Sequence, residues 1–269
     1  MKVGFFSAKQ YDINHFDRIN KTFGLQIEYF DYRLCLRTAR LAHGFEAICV
    51  FVNDSLCEEV LIELSKNGTK VIAMRCSGFN NVDLEVAKKL NLKVVNVPSY
   101  SPESVAEHTV ALMLTLNRKV HKAYQRTRDA NFSLKGLVGF NMQNRNVGII
   151  GTGKIGLATI KILLGFGCHV FAHDPYPNHA VLDLGVKYVP LEKIFAACDI
   201  ISLHCPLTSE NHHLLNKESF SRMKPGVMVI NTSRGGLLNA LDAIEALKTG
   251  QLGSLGLDVY ENEMELFFE

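Results

Sequence analysis

No stretch of 18 consecutive apolar residues occurs in this sequence, so no segment reads as a membrane-spanning helix. The apolar run after Met1 and Lys2 covers only residues 3–6, too short for a secretory signal core. Excess charge of one sign is also lacking. The chain has 29 basic and 27 acidic residues, a formal +2, and the bases are scattered rather than gathered in a stripe. Neither nucleic acid nor a membrane surface is therefore an expected partner. There is no C-x-x-C pair. The seven cysteines (35, 49, 57, 76, 168, 198 and 205) are odd in number and several lie in apolar, strand-like runs. They read as reduced thiols, which makes a soluble protein of the cytoplasm the expectation. Internal repeats and low-complexity segments are absent. What the chain does have is 269 residues that are 47% hydrophobic, enough to fill the cores of two α/β domains.

The first hundred residues alternate between strand and helix patterns. Residues 2–7, 26–31, 47–52, 70–75 and 93–97 read as strands, most of them continuously apolar, as buried parallel strands are. Helices are expected over 55–66 and 83–90, the second opened by an Asp cap. Ser101-Pro102-Glu103 combines a cap, a proline at the first helical position and an acid in the first turn. The helix it opens is expected to run to about Arg126 and to connect two domains, 1–100 and 101–269. Residues 134–146, rich in Gly and Asn, read as a hinge. The alternation then resumes, with strands near 187–189, 199–206, 226–233 and 254–260 and helices near 191–197, 217–223 and 240–248.

Residues 147–174 carry the most specific signal. An apolar strand, 147–150, leads into Gly151, Gly153 and Gly156 in G-x-G-x-x-G spacing, then a helical pattern and a second strand ending at Asp174. Gly151 suits a tight turn, Gly153 leaves the backbone open to a pyrophosphate, and Gly156 lets helix and sheet pack closely. The helix-start amides face the phosphates. Asp174, 23 residues after Gly151, can accept hydrogen bonds from both ribose hydroxyls of an adenosine. Pro175, Tyr176, Pro177 and Asn178 follow it, so no base is placed to receive a 2′-phosphate, and NAD is favoured over NADP.

Ligands bind such sheets beyond the carboxyl ends of the strands. Arg234, in INTSRGG, directly follows an apolar strand, where a guanidinium can hold a carboxylate bidentately and polarise an adjacent carbonyl, which suits a 2-oxo acid. The alternative is an Arg paired with a neighbouring acid. Glu263, in LDVYENE, reads on its own as surface charge. His204, in SLHCPLT, could move a proton or merely shape a cofactor pocket. No pair of histidines shows metal-ligand spacing with an acid or cysteine, so no metal is expected. The amides of the RCSGFNNVD loop could cap a carboxylate, though a plain connecting loop would look similar.

Together these motifs resemble the D-2-hydroxyacid dehydrogenase family, and within it the fermentative D-lactate dehydrogenases. The likeness runs through FSAKQYD (6–12), FVND (51–54), RCSGFNNVD (75–83), LNRKVHKAYQRTRDANFSL (116–134), GTGKIG (151–156), HDPYP (173–177), SLHCPLT (202–208), NTSRG (231–235) and LDVYENE (257–263). The resemblance implies two doubly wound parallel-sheet α/β domains, a flavodoxin-like substrate-binding domain and a Rossmann NAD domain, with the site in the cleft. It implies that Arg234 anchors the substrate and that Glu263 partners the catalytic histidine. Lys154, Ile155, Asp174, Cys205, Pro206, Asn211, Thr232, Ser233 and Asp258 match cofactor-contacting positions, beside Gly151, Gly153 and Gly156. Ser77 and Gly78 match the loop facing the substrate carboxylate, and Tyr100 a pocket-lining position. The implied reaction is reduction of pyruvate by NADH to D-lactate, in a homodimer or higher homo-oligomer. Two other readings stay open: reduction of a bulkier 2-oxo acid, and non-catalytic NAD(H) binding.

The sequence departs from the family in one respect. The family's proton-donor histidine stands in a later Gly-His segment, and Glu269 comes before it. Leu266, Phe267 and Phe268 are apolar residues that a native terminus seldom exposes. The expectation is that these residues are most of a longer enzyme, with the C-terminal part of the family fold missing.

Overall fold

The computed structural model describes residues 1–79, 81–98 and 101–261. The chain divides into two compact units, 1–100 and 101–269.

The first unit holds β1 (Lys2–Phe5), α1 (Gln10–Phe23), β2 (Gln26–Tyr29), β3 (Ala47–Val50), α2 (Glu58–Lys66), β4 (Val71–Met74), α3 (Leu84–Lys89) and β5 (Lys93–Val95). All strand pairs are parallel, in the order β2-β1-β3-β4-β5. This is the flavodoxin-like order. β3 is buried along its whole length, which is why AICV reads as an uninterrupted apolar run. Asp83 caps α3 by accepting from Val86 N at 3.0 Å. One face of the sheet packs Ile48, Val50, Leu61, Leu64 and Ile72 into the main core.

The second unit begins with α4 (Pro102–Arg118) and α5 (Val120–Arg128), then β6 (Asn146–Ile150), α6 (Lys154–Gly165), β7 (His169–His173), α7 (His179–Leu182), β8 (Lys187–Tyr188) and α8 (Leu191–Ala197). It ends with β9 (Ile200–Leu203), α9 (Lys217–Ser221), β10 (Val227–Asn231), α10 (Ala240–Thr249) and β11 (Leu252–Leu257). The sheet order is β11-β10-β9-β6-β7-β8, all parallel. Counted within the unit this is the 3-2-1-4-5-6 order of dinucleotide-binding folds, with its topological switch point between β6 and β9. β9 and β10, each flanked by a strand on both sides, are buried throughout.

The single helix expected from Ser101 to about Arg126 is two helices. Ser101 caps α4 by accepting from Ser104 N at 3.2 Å, but Lys119 takes a left-handed φ of 53° and breaks the run. The cause is tertiary. Asn117 exchanges two hydrogen bonds with the backbone of Phe140, both 2.8 Å, and Lys119 Nζ donates to Val138 O at 3.0 Å. No helix among the described residues is long and apolar enough to cross a membrane.

Candidate active site

The glycine turn after β6 has the geometry its spacing predicts. Gly151 adopts φ +97°, and a Cβ there would lie 2.5 Å from the backbone carbon of His204. Only glycine fits, because the β6 and β9 exits approach each other at the switch point. A Cβ on Gly156 would overlap the carbonyl oxygen of Gly151, so α6 can start tight against the strand only with glycine there. By contrast a Cβ on Gly153, the residue before α6, would meet nothing within 4 Å. Open space therefore lies over the turn, beside the first amides of α6, which lack intrahelical partners. Lys154 is exposed and Ile155 partly buried on that first turn.

Asp174 stands at the end of β7 with its carboxylate already engaged. Oδ2 accepts from Thr152 N at 2.7 Å and Thr152 Oγ1 at 3.0 Å, and Oδ1 accepts from Tyr176 N at 2.9 Å. Burial works against the charged form, but the Thr152 and Tyr176 donors and nearby His173 hold the carboxyl below its usual range. A carboxylate has about four lone-pair sites, so in this conformation one remains, on Oδ1, rather than the two expected for a pair of ribose hydroxyls. Thr152 is itself held by Tyr188 Oη, which donates to Thr152 Oγ1 at 2.9 Å and accepts from Asn178 N at 2.8 Å, while Asn178 Nδ2 donates to Thr152 O at 2.9 Å. Thr152, Asn178 and Tyr188 were not legible as site residues. Thr152 is the x of G-x-G and Asn178 follows HDPYP, but neither residue type signals a role there.

At the end of β9, His204 Nε2 lies 2.9 Å from Ser202 Oγ. The residue keeps some accessible surface, but Nδ1 is sealed from solvent and has no partner among the described residues. Burial pushes the imidazole down to about 4, so it is neutral at neutral pH. Cys205 is also neutral, its thiol pushed up to about 11 chiefly by burial, with Asp174 adding to the effect. Asn211 is committed to its own loop, donating to Pro206 O at 2.7 Å and accepting from Thr208 N at 2.7 Å. It sets the path of residues 206–211.

β10 delivers the next group. Asn231, fully buried, accepts from Ser233 N at 3.0 Å and donates to Arg234 O at 2.9 Å, while Ser233 Oγ donates to Leu203 O at 2.9 Å. These bonds fix the turn on which Arg234 stands. Its side chain is exposed, and Nη1 donates to Ser233 O at 2.8 Å. Among the described residues no carboxylate pairs with it, so the paired-arginine alternative has no support there. Thr232 is buried against Thr109, and Asp258, past β11, pairs with His108. Neither partner was singled out in the sequence.

In the first unit, Ser77 Oγ donates to Val97 O and Asn96 Nδ2 donates to Ser77 O, each at 2.9 Å, and Cys76 Sγ contacts Gly78 O at 3.2 Å. The Ser77–Gly78 loop is thus pinned to the segment after β5. Tyr100 and Glu263 lie outside the described residues.

Sequence spacing shows no histidine pair placed with an acid for metal binding, but the tertiary structure brings one such group together. His212, His213 and Glu261 bring their donor atoms within 4.8 Å of one another, although 48 residues separate His213 from Glu261. His213 Nε2 hydrogen-bonds Glu261, which also accepts from Ala240 N at 3.2 Å. Burial opposes the charged carboxylate, but these donors hold it below its usual range. Asn239 Nδ2, a donor, faces His213 Nδ1 at 3.5 Å. That leaves the ring proton on Nε2, aimed at Glu261, and no lone pair there for a cation.

The strand-end groups fit a dinucleotide in three respects. Space is open over Gly153, Asp174 keeps an acceptor site, and His204 Nδ1 is a buried polar atom without a partner, which costs about 1–3 kcal/mol unless a ligand satisfies it. A pocket lined by Leu116, Lys119, Val138, Phe140, Met228 and Ser254 lies at the opposite end of β10, away from these groups.

Residues 110–266 match the family model described as the NAD-binding domain of D-isomer-specific 2-hydroxyacid dehydrogenases. The whole chain is 58% identical to the D-lactate dehydrogenase of Escherichia coli, covering 82% of that protein. It is 54% identical to a 2-hydroxyacid dehydrogenase homologue of Haemophilus influenzae, covering 81% of it. Among solved structures, the apo D-lactate dehydrogenase of Escherichia coli superposes with a TM-score of 0.94 at 57% identity, over all of this chain and 85% of that one. A pyruvate reductase of Chlamydomonas reinhardtii does so with a TM-score of 0.94 at 47% identity, over all of this chain and 80% of that one. By the family model and by identity over its whole length, the chain belongs to the D-isomer-specific 2-hydroxyacid dehydrogenases, and its second unit, with the glycine turn, Asp174 and Arg234, is their NAD-binding domain.

Proposed function

We propose that this protein reduces pyruvate to D-lactate with NADH, as a fermentative enzyme of the cytoplasm. The observation that carries the reading is 58% identity over every residue of the chain to a D-lactate dehydrogenase. Bound NADH supplies the hydride. The turn at Gly151, Gly153 and Gly156, with Lys154 and Ile155, holds its pyrophosphate, and Asp174 takes a ribose hydroxyl. Cys205, Pro206, Asn211, Thr232, Ser233 and Asp258 shape the rest of the cofactor edge.

Arg234 holds the substrate carboxylate, a role supported by its exposed guanidinium, which no carboxylate among the described residues occupies. Ser77, Gly78 and Tyr100 complete the substrate side, with residues 1–100 as the substrate-binding domain, and Glu263 supports the proton donor. His204 is not that donor, because its imidazole stays neutral. No two of the seven cysteines are paired, as suits a reducing compartment. Exposed Val120, Tyr124, Phe132, Leu134 and Val138 on and after α5 support self-association into a homodimer or higher oligomer.

The protein expressed from its complete gene is the form to assay. Pyruvate should drive NADH oxidation with a higher kcat/KM than 2-oxoisocaproate or phenylpyruvate, giving the D enantiomer. Arg234→Gln should lower kcat/KM about 100-fold. Preference for a bulkier acid would move the assignment to a sibling chemistry, and NADH binding without oxidation would leave a non-catalytic binding protein.

A further inference from the structure

α4 lies close against β10 and β11 because of Gly256. A Cβ there would meet Ile230 Cδ1 at 2.8 Å, Leu116 Cδ1 at 3.2 Å and Leu112 Cβ at 3.5 Å, so a side chain would push the helix off the sheet. This approach brings two consecutive residues of α4 to the ends of both strands. Thr109 Oγ1 lies 2.9 Å from Thr232 Oγ1, and His108 Nε2 lies 3.2 Å from Asp258 Oδ1.

The direction of each bond follows from counting protons. The one hydroxyl proton of Thr109 goes to Val105 O at 2.8 Å. The proton between the two threonines must therefore come from Thr232, which leaves Thr232 Oγ1 with acceptor lone pairs only. At Asp258 the carboxylate can only accept, so His108 Nε2–H is the donor, and Oδ2 is left for another partner. Neither His108 nor Thr109 matches a motif position that touches a ligand.

We infer that His108 and Thr109 are positioning residues, Thr109 presetting the Thr232 hydroxyl as an acceptor and His108 holding the Asp258 carboxylate in place, so that this part of the edge selects the N–H or O–H donors of the bound nucleotide. The inference rests on the reading that Thr232 and Asp258 face NAD(H). The two contacts differ in setting. Thr109 and Thr232 are buried, whereas His108 and Asp258 are half exposed, so solvent screens the second pair and its effect is smaller.

The test is NADH affinity of the full-length protein, read by fluorescence titration with thermal unfolding alongside. Thr109→Val removes the acceptor that orients Thr232 and should weaken NADH binding about tenfold, whereas Thr109→Ser should stay near wild type. His108→Ala should weaken it about fivefold and His108→Gln, which keeps a donor, should recover most of that. In each case KM for NADH should rise while KM for pyruvate holds. In a double-mutant cycle, His108→Ala should cost little once Asp258→Ala has removed the acceptor. Additive losses in that cycle, or losses in Thr109→Ser and His108→Gln equal to those of the non-conservative variants, would overturn the inference. Failure of the wild-type protein to bind NADH would instead sink the reading on which it rests.

Discussion

Both units end their parallel strands in loops at one edge of a sheet, yet the two edges are finished differently. In the first unit the polar groups there satisfy one another. Asp54, fully buried, accepts from Ser7 Oγ at 2.7 Å and from Leu34 N and Phe51 N, both at 2.6 Å. Arg75 donates to Phe6 O and Ser7 O at 2.9 and 2.6 Å, pairs with Asp12 at 3.6 Å and stacks over Phe5 and Phe51. In the second unit the corresponding edge keeps capacity in reserve. Gly153 borders open space, Asp174 has an acceptor site left, His204 Nδ1 has no partner and Arg234 is exposed. A closed network rigidifies loops, while groups left unsatisfied are the ones a ligand can complete. The same topology thus supports an edge whose Asp54 and Arg75 network is internally satisfied in one unit and an edge that keeps open capacity for the nucleotide in the other.

The largest effect is expected where the binding edge has no room. Gly156→Ala sets a Cβ against the Gly151 carbonyl and should cost about 4 kcal/mol or more in turn geometry, seen as loss of NADH binding in a titration. Retention of wild-type affinity would mean that the turn is not what receives the nucleotide. Next comes the edge of the first unit. Asp54→Ala strands three donors and should lower stability in denaturant unfolding by about 3 kcal/mol, with NADH affinity of the folded protein changed less than about twofold. A large affinity loss there would erase the distinction between the edges.

The smallest effect concerns pH. His204 titrates near 6.5 when unfolded and about 4 when folded. Below pH 6.5 the unfolded chain therefore takes up a proton that the folded protein refuses, and stability falls as pH drops from about 6.5 towards 4. Between pH 7 and pH 5 the loss should be about 2 kcal/mol, and His204→Asn should flatten that part of the curve. An unchanged slope would show that His204 Nδ1 is not sealed.

Much of the binding edge was legible because its signals are local. The fit of Gly156 against the Gly151 carbonyl acts within six residues, Asp174 directly follows β7, and Arg234 stands three residues past β10. Groups that act through contacts distant in sequence were not legible. Tyr188 supports Thr152 across 36 residues, Glu261 meets His213 across 48, and Thr109 meets Thr232 across 123. Even the expected helix to Arg126 failed for this reason, since Asn117 and Lys119 bond to a segment about twenty residues further on.

Strand and helix periodicity, the glycine spacing and the acid and arginine at strand ends were determined by the sequence itself, because backbone sterics and burial patterns act between near neighbours. Which of those polar groups are already satisfied, and which remain available to a ligand, was decided only by the tertiary structure, since the partners that answer the question arrive from other strands and helices.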